Sequence, residues 1–311
     1  MQTLICGSIA YDTIMVFPGR FKEQILPEQL HILNVAFLVP DMRREFGGCA
    51  GNIAYSLKML GGEPLIMATV GDDCQPYQYR LDKLGIMQTH IRQVADTFTA
   101  QAFITTDLDD NQITAFHPGA MNFSHQNHIA EVKDVAIGIV APDGRDGMLQ
   151  HAREFNAAGI PFIFDPGQGL PMFNGDELRE FIRLADFLAV NDYEAQVLQE
   201  KTGEKLEALA RGLKGLVVTL GGKGSQIYSG GRMVEIPCAT ADAVTDPTGC
   251  GDAFRAGLLY GLANGMDWEI TGRLASLLGA WKIAHRGGQN HHFTRDQIAA
   301  RFKQSFKTDL W

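Results

Sequence analysis

Along most of the chain, short apolar runs alternate with longer segments in which apolar residues recur every three or four positions. Near-continuous apolar runs are typical of strands buried on both faces, and the longer pattern is typical of amphipathic helices. The pattern predicts strands at 2–6, 65–70, 135–140, 161–165, 187–190 and 216–220, and helices at 76–84, 144–158, 174–184, 191–200, 268–285 and 294–307. This alternation predicts a three-layer α/β/α fold built on a mostly parallel sheet.

Two segments depart from this rhythm. Residues 14–44 are interrupted by four prolines and glycines, and the piece 32–39 within them predicts a strand. Residues 98–119 predict a hairpin with a polar loop and no helix beside it. We expect the two segments to pair as a small β lid. The predicted units are an α/β nucleotide-binding core of residues 1–13, 45–97 and 120–311, and a β lid of residues 14–44 and 98–119.

Composition narrows the class of protein. The chain has 311 residues, of which 45% are hydrophobic and 20% charged, with a formal net charge of −9. The acidic balance argues against a nucleic-acid surface, and the lack of a long apolar run argues against a membrane span. Five scattered cysteines without a Cys-x-x-Cys pair disfavour disulfides and zinc. The histidine pairs lack matching carboxylates or cysteines, which disfavours a transition metal. A cytoplasmic location is expected.

The stretch 246–262 carries the clearest chemistry. A glycine-rich turn opens directly into a helix, so the backbone N–H groups of Gly249, Cys250 and Gly251 are expected to point at one spot. The helix dipole adds partial positive charge, which favours an anion such as phosphate and also the ionised form of Asp252. Asp252 is a candidate general base, although a carboxylate in a first helical turn also serves as a cap. The arrangement predicts phosphoryl transfer to an alcohol.

Polar or glycine-rich turns at the ends of predicted strands should meet at one edge of a parallel sheet, where ligands bind. These turns are 7–12, 47–52, 191–194, 219–225 and 246–252. Asp12 is a candidate ligand contact or a turn carboxylate, and Asn52 is expected to face the same cleft. The pair Gly47–Gly48 allows close approach of a ligand, a hinge, or close packing. A dinucleotide fingerprint is absent from the sequence.

The motifs resemble those of the ribokinase-like (PfkB) kinases. Asp-Pro-Thr-Gly-Cys-Gly-Asp-Ala-Phe at 246–254 resembles the second family signature, and Gly-Gly-Cys-Ala-Gly-Asn-Ile-Ala at 47–54 resembles the first. Asn-Asp-Tyr-Glu at 191–194 and Thr-Leu-Gly at 219–221 resemble two further motifs, in the family's order. Pro247 and Cys250 depart from the usual Thr and Ala. The resemblance implies a ribokinase-like fold and an ATP-dependent kinase that acts on a sugar-type CH₂–OH.

The resemblance also implies roles for individual residues. Asp252 would be the base, and the amides of Gly249, Cys250 and Gly251 the anion hole. Sugar hydroxyls would be bound by Asp12, Gly48 and Asn52. The nucleotide site would contain Asn191, Thr219, Gly221 and Gly224, and Glu194 would serve Mg²⁺ directly or through water. A monovalent cation such as K⁺, which many members use, would lie near Asp246 and Thr248. From the residues alone, Asn191 and Glu194 fit either a magnesium site or a helix cap.

Within the family, bacterial adenosine kinases are the branch that the chain resembles most, through segments 7–12, 47–54, 111–121 and 288–290. That likeness implies phosphorylation of the adenosine 5′-hydroxyl, with Ser8, Phe103 and Phe116 around the nucleoside. A lid with two phenylalanines could supply the flat apolar clamp that a purine needs, or could simply anchor itself to the core. Arg43 and Arg44 keep a sugar or sugar-phosphate kinase open as an alternative. A non-catalytic nucleoside-binding protein is a further alternative, and lid edges could pair in a homodimer.

Overall fold

The computed structural model describes residues 2–25, 34–109 and 111–311. Its strands are β1 Gln2–Cys6, β2 Ala10–Val16, β3 Asp41–Gly47, β4 Glu63–Val70, β5 Ile91–Gln93, β6 Ala100–Thr106, β7 Gln112–His117, β8 Val135–Val140, β9 Phe162–Phe164, β10 Phe187–Asn191, β11 Gly215–Thr219, β12 Ser225–Ser229 and β13 Arg232–Ile236. Its α-helices are α1 Phe21–Gln24, α2 Cys49–Met59, α3 Gln75–Leu84, α4 Arg145–Ala158, α5 Gly175–Leu184, α6 Asp192–Thr202, α7 Leu206–Leu209, α8 Cys250–Ala263, α9 Trp268–Ile283 and α10 Arg295–Phe306.

Nine of the described strands form one large sheet in the order β13-β12-β11-β10-β9-β8-β1-β4-β5. The strands from β11 to β5 run parallel, and β12 and β13 add an antiparallel hairpin at one edge. One hydrophobic cluster joins one face to α2, α3, α8, α9 and α10. A second joins the other face to α4, α5 and α6. The prediction of a three-layer α/β/α fold is confirmed.

Local sequence explains where several helices begin and end. Capping boxes start α5, α6 and α10, and left-handed glycines end α3, α4 and α6. Helix α8 packs unusually close to α9, because a Cβ on Gly257 would lie 2.5 Å from Cα of Ala275. Two glycines on one face of α8, Gly257 and Gly261, therefore allow the two backbones to touch. Helix α8, which begins in the turn of residues 246–252, is thereby fixed against its neighbour.

A separate four-stranded sheet has the order β3-β2-β6-β7, and we call it the lid. Its strands take in residues 10–13 and 45–47, which the predicted division placed in the core. Contacts also join the two insertions that build it. The carboxylate of Asp107 accepts from the N–H of Phe21 at 2.9 Å, and Asp109 pairs with Arg20 at 2.8 Å and Lys22 at 2.7 Å.

The lid differs from the predicted pattern in two strands. The predicted strand 32–39 is wrong for residues 34–39, which have no regular structure, whereas residues 32 and 33 lie outside the described residues. The strand is instead β3, whose sequence Asp-Met-Arg-Arg-Glu-Phe-Gly is mostly charged because β3 is an edge strand.

All five cysteines are free thiols. Over the parts of the chain that are described, no helix is both long and apolar enough to cross a membrane.

Candidate active site

The first turn of α8 lies at the centre of the site. Gly249 is the N-cap residue in a left-handed conformation, with φ of 77°, which favours glycine. The N–H of Cys250 donates to the carbonyl of Pro247 at 3.1 Å and is therefore committed to the turn. Gly251 and Asp252 follow at the positions whose amides have no intrahelical partner. The amide of Cys250 is therefore engaged within the turn, and the predicted anion hole of residues 249–251 stays a prediction.

Asp252 is half-buried, and burial raises the pKa of its carboxyl to about 7. The nearby Asp165 raises the pKa further by repulsion. The side-chain amide of Asn52 donates to Oδ2 of Asp252 at 2.8 Å, which opposes the rise. We expected the helix N-terminus to favour the ionised form, but burial outweighs that field. A carboxyl that titrates near neutrality suits a general base.

A chain of buried hydrogen bonds fixes Asn52. Gln289 donates from Nε2 to Oδ1 of Asn52 at 3.2 Å and to the hydroxyl of Tyr77 at 2.6 Å. The Tyr77 hydroxyl in turn donates to the carbonyl of Gly47 at 2.7 Å. Asn52 is buried and holds the carboxylate of Asp252, so the structure gives it a positioning role beside its predicted contact with sugar hydroxyls. The chain connects Asp252 to the end of lid strand β3.

A buried ion pair lies beneath the same turn. Arg255, one turn after Asp252 in α8, donates to both carboxylate oxygens of Asp165 at 3.0 and 3.1 Å. It also donates to the carbonyl of Ala189, in the middle of β10, at 3.3 Å. Bidentate geometry of this kind makes strong, directional contacts. The pair places a fixed positive charge between Asp165 and the half-buried Asp252.

Asp12 lies on β2 of the lid, close enough to Asp246 in the turn before α8 for the two carboxylates to repel each other. Burial raises the pKa of its carboxyl to about 6, and repulsion from Glu45 and Asp246 adds to the effect. A Cβ on Gly47 would lie 2.5 Å from Oδ2 of Asp12, so glycine there gives the carboxylate room. Three carboxylates close together favour donors such as sugar hydroxyls as neighbours.

Two other predicted substrate contacts have clear structural roles. Oγ of Ser8 accepts from the N–H of Cys49 at 3.2 Å, and the carbonyl of Ser8 accepts from Ala50 at 3.0 Å. Ser8 is buried and fixes the start of α2. Gly48 has φ of 83°, and a Cβ there would lie 2.5 Å from the carbonyl of Ser8. Close backbone approach between the lid and α2 is thus one reason for glycine at this position.

The strand register separates the two lid phenylalanines. Phe116 pairs with Ala102, which pairs with Asp12, so these three side chains share one face of the lid. Phe103 pairs with Thr13 and therefore lies on the opposite face. The predicted clamp of Phe103 and Phe116 is wrong, since one sheet stands between the two rings. Ile14 and Ile104 instead share the face of Phe116.

Asn191 and Glu194 form a capping box at the start of α6. Oδ1 of Asn191 accepts from the N–H of Glu194 at 2.7 Å, and Oε2 of Glu194 accepts from the N–H of Asn191 at 2.8 Å. Burial raises the pKa of Glu194, with repulsion from Asp165 adding to it. Among the described residues, no group of three or more His, Cys, Asp or Glu side chains could hold a metal ion. Both oxygens of Asp165 are engaged by Arg255, so the role of Glu194 in serving Mg²⁺, directly or through water, stays a prediction.

The turn after β11 has the glycines that its backbone demands. Gly221 has φ of 56° and Gly224 has φ of 95°, and a Cβ on Gly224 would lie 2.1 Å from the carbonyl of Ile236. Oγ1 of Thr219 donates to the carbonyl of Val190 at 3.4 Å, at the ends of two parallel strands. The turn therefore lies at the sheet edge where nucleotides bind in such folds. The predicted role of these residues in binding a nucleotide stays a prediction.

Asp246 connects the turn of residues 246–252 to the segment after α9 through two hydrogen bonds. Its Oδ1 accepts from the N–H of Thr248 and its Oδ2 from the N–H of Gly287, both at 2.8 Å. Sequence reasoning assigned no role to Tyr77, Gln289, Arg255 or Lys282. Arg255 and Lys282 did leave a signal, because each is a charged residue inside an apolar helical stretch.

Fold and site together define a phosphotransferase that acts on an alcohol group. The chain belongs to the pfkB family of carbohydrate kinases, whose family model matches residues 9–294. The resemblance noted from the motifs is thereby confirmed.

Several relatives match over nearly their whole length. The nucleoside kinase of Methanocaldococcus jannaschii is 30% identical, with 98% of each chain covered. The structure of Burkholderia thailandensis nucleoside kinase in complex with inosine is 56% identical, covers 99% of each chain and gives a TM-score of 0.91. The complex of that kinase with ADP-inosine is 57% identical, covers 99% of this chain and 97% of the other, and gives 0.88. The aminoimidazole riboside kinase of Salmonella typhimurium is 26% identical over 75% of this chain and 79% of its own.

Proposed function

We propose that this protein transfers the γ-phosphoryl group of ATP to the 5′-hydroxyl of a purine nucleoside, adenosine and inosine being the leading acceptors. The observation that carries the proposal is Asp252, a carboxylate with a pKa of about 7 that Asn52 holds at the N-terminus of α8. The nucleoside kinases to which the chain is similar over almost its full length support a nucleoside acceptor.

Asp252 accepts the proton of the acceptor hydroxyl as the oxygen attacks the γ-phosphorus, and the β-phosphate oxygen leaves with the electron pair of the broken bond. The amides of Gly249, Gly251 and Asp252 offer hydrogen bonds to the phosphoryl oxygens, whose charge is greatest during transfer. Arg255 keeps Asp165 paired, which limits the repulsion that Asp252 experiences in its charged form. The protein thus contributes mainly position and electrostatics.

The acceptor lies between the α8 turn and the lid face that carries Asp12. The carboxylate of Asp12 accepts hydrogen bonds from ribose hydroxyls, and Phe116 with Ile14 and Ile104 offers an apolar surface for the base. Asn52 orients Asp252 and borders the same space. We also propose that the lid closes over the acceptor when the acceptor binds, with residues 47–48 acting as one hinge.

Lid geometry favours a neutral acceptor over a sugar phosphate. Neighbouring residues of a strand point to opposite faces, so Arg43 and Arg44 cannot act as a pair. Arg44 lies over the ring of Tyr11, 3.7 Å from its centroid, and contacts Asp73 at 3.4 Å on the lid face opposite to Asp12. Arg43 contacts Glu45 at 3.4 Å. A phosphate on the acceptor would meet the carboxylates of Asp12 and Glu45 rather than two cations.

The donor nucleotide lies along the strand ends that include Asn191, Thr219, Gly221 and Gly224. Glu194 would hold Mg²⁺ through intervening waters, since its carboxylate is partly committed to the helix cap. When bound, Mg²⁺ neutralises charge on the phosphates of the donor. The location in the cytoplasm that the cysteine content favours is compatible with ATP as co-substrate.

A substrate panel tests the proposal. Adenosine, inosine, aminoimidazole riboside, ribose, fructose and fructose 6-phosphate are compared with Mg-ATP as donor. We expect kcat/KM for the purine nucleosides to exceed that for ribose by about 10²-fold or more, because a site built for the base loses those contacts with a free sugar. A preference for a free sugar or a sugar phosphate would overturn the proposal. Preference for aminoimidazole riboside, which the similarity to such a kinase keeps as a second candidate, would narrow the acceptor to that nucleoside.

A further inference from the structure

A lysine ammonium group lies buried against the turn of residues 246–252. We call this segment the anion-binding turn, because the proposed function places the transferred phosphoryl group there. Lys282, in the last turn of α9, has none of its surface exposed. Its Nζ donates to the main-chain carbonyl of Asp246 at 2.7 Å and to that of His285 at 3.1 Å. These two carbonyls belong to the two segments that meet at the turn. The ammonium therefore joins the start of the anion-binding turn to the segment that follows α9.

Further contacts make this junction a built feature. The N–H groups of Thr245 and Asp246 both donate to the carbonyl of Ile283, at 2.9 and 3.1 Å. The carboxylate of Asp246 accepts from Gly287 on the other side. A Cβ on Gly249 would lie 3.1 Å from Cα of Gly288, so the two backbones lie close together. Movement of Lys282 would therefore shift the amides that precede Asp252.

Burial of a lysine is unfavourable unless its charge is compensated. Burial lowers the pKa of Lys282, while the charges of Asp246 and Asp252 oppose that effect. The charged form is also supported by two carbonyl acceptors, because the ammonium group offers only donors. A cation held here adds positive potential beside the site that takes the phosphoryl group.

The monovalent cation implied by the family resemblance fits this chain poorly. Main-chain carbonyls are the ligands that K⁺ uses in proteins. Here the carbonyls of Asp246 and His285 already accept from Nζ of Lys282. The carboxylate of Asp246 is engaged by the amides of Thr248 and Gly287. A second cation would have to displace the ammonium or lie against it.

We propose that Lys282 is a tethered cation that fixes the anion-binding turn, so that this kinase needs no monovalent cation. The ammonium acts through the main chain of residues 246–249, so Lys282 is a positioning residue. The inference rests on phosphoryl transfer at the α8 turn, and it holds whichever alcohol is the acceptor.

The test compares the wild-type protein with Lys282→Met, using the best acceptor of the substrate panel and salts of K⁺, NH₄⁺, Na⁺ and tetramethylammonium at equal ionic strength. We expect the wild-type kcat to be the same in all four salts. In Lys282→Met without K⁺ or NH₄⁺, kcat should fall by about 10- to 100-fold with little change in the KM of the acceptor, because the turn is displaced. K⁺ or NH₄⁺ should restore part of kcat.

Lys201→Met is the matched control. Nζ of Lys201 also donates to main-chain carbonyls, those of Leu170 at 3.2 Å, Pro171 at 3.3 Å and Phe173 at 2.7 Å, but on α6 and far from the α8 turn in the fold. We expect it to lower the melting temperature and to leave kcat and the response to salts unchanged. Lys201 is only partly buried, and the comparison separates loss of a carbonyl-bound lysine elsewhere in the fold from loss of the cation at the turn.

Two results would overturn the proposal: activation of the wild-type protein by K⁺ over tetramethylammonium, or full kcat of Lys282→Met without K⁺. The first decides even if Lys282→Met does not fold. If no acceptor is phosphorylated, melting temperatures in the same salts give the answer. A K⁺-specific stabilisation of the wild-type protein would then contradict the proposal, because binding to the folded state raises stability. Such a result would stand apart from failure of the nucleoside assignment.

Discussion

Asp252 owes its chemistry to neighbours that are distant in sequence. Burial favours its neutral form, whereas the amide of Asn52 and the positive charge of Arg255 favour its anion. Asn52 is in turn held by Gln289, which also contacts Tyr77. The resulting pKa of about 7 lies where a small environmental change alters the fraction of ionised base.

We expect kcat/KM for the acceptor to rise with pH through about 7 and then level, since a general base must be deprotonated and burial raises the pKa of Asp252 to about 7. Asp252→Asn should lower kcat by about 10²- to 10⁴-fold with nucleotide binding retained. Steady-state kinetics over a range of pH measures both effects. Unchanged turnover in Asp252→Asn would remove Asp252 from the mechanism.

The same substitution has a stability signature that shows whether the variant is folded. Because the folded-state pKa of Asp252 is raised, its favourable contribution to stability is fully present below the ordinary pKa of about 4 and is lost as pH rises through about 7. Asp252→Asn should therefore melt at a higher temperature than the wild-type protein above pH 7, with the difference vanishing near pH 4.

Site residues within contiguous motifs could be predicted, and those joined only by tertiary contacts could not. The turn 246–252 carries its own geometry in its glycines, so Gly249 and Asp252 were recognisable as a pair. Gln289 reaches Asn52 across 237 positions, and no local pattern reports such a contact. The amide of Cys250 donates to the carbonyl of Pro247 within a turn whose shape could not be predicted from the sequence.

Strand register decides which lid side chains share the face of Asp12, on which we propose that the acceptor binds. Phe116 shares its face with Asp12, and Phe103 does not, although both belong to the same hairpin. Their exposed fractions are 52% and 41%, so the two phenylalanines form a matched pair for substitution.

We expect Phe116→Ala to raise the KM for the nucleoside by roughly 10-fold, because loss of an aromatic contact with a base costs about 1–3 kcal/mol. Phe103→Ala should leave this KM near its wild-type value. Steady-state kinetics of the two variants with adenosine and inosine makes the comparison. Equal effects from both would place the base elsewhere than on the Asp12 face.

Helices α8 and α9 form one rigid support for the site, because Gly257 and Gly261 let their backbones touch. Gly257→Ala should destabilise the fold by about 1–3 kcal/mol through overpacking against Ala275. Gly212→Ala, at a position where a Cβ would meet nothing within 4 Å, should be neutral or slightly stabilising. Thermal unfolding of the two variants gives the measurement, and equal melting temperatures would contradict the assigned contact.

Hydrophobic periodicity predicted the strands and helices of the core because each of them buries either one face or both faces. Each case produces its own spacing of apolar residues in the sequence. Strands β8 and β10 are nearly all apolar, and α5 has its capping box in the sequence itself. Strand β3 was not predicted because it is mostly charged, and its charges find partners within the strand and in loops of the core. Arg44 reaches Asp73, and Glu45 accepts from Asn290 at 2.8 Å.

The two sheets of the molecule contribute different residues to the candidate site. The large sheet and its helices hold the turn of Asp252, and the lid presents Asp12. The chain passes between core and lid near residues 7–9, 48, 94–99 and 118. Thr99 is pinned at one of these passages, since its N–H donates to Asp73 at 2.7 Å and its Oγ1 accepts from Gly71 at 3.0 Å.

We expect the lid to close when the acceptor binds, because phosphoryl transfer benefits from exclusion of water. The radius of gyration from small-angle X-ray scattering should decrease on addition of nucleoside, and hydrogen exchange should slow in residues 47–50. Identical scattering and exchange with and without nucleoside would argue for a lid that is fixed.

The four connections between core and lid all lie at one end of the lid sheet, which is a stiff plate. The lid can therefore move most easily by rotating as a rigid body about the line that joins these four connections. Strand β2 has seven residues, which makes the plate about 23 Å long from that line to its far end. A rotation of roughly 10° therefore moves the far end by about 4 Å, while the residues beside the axis hardly move. Asp12 is near the axis and Val16 is near the tip. Under the proposed function, the end of the cleft that holds the sugar would keep its geometry while the distal end opens.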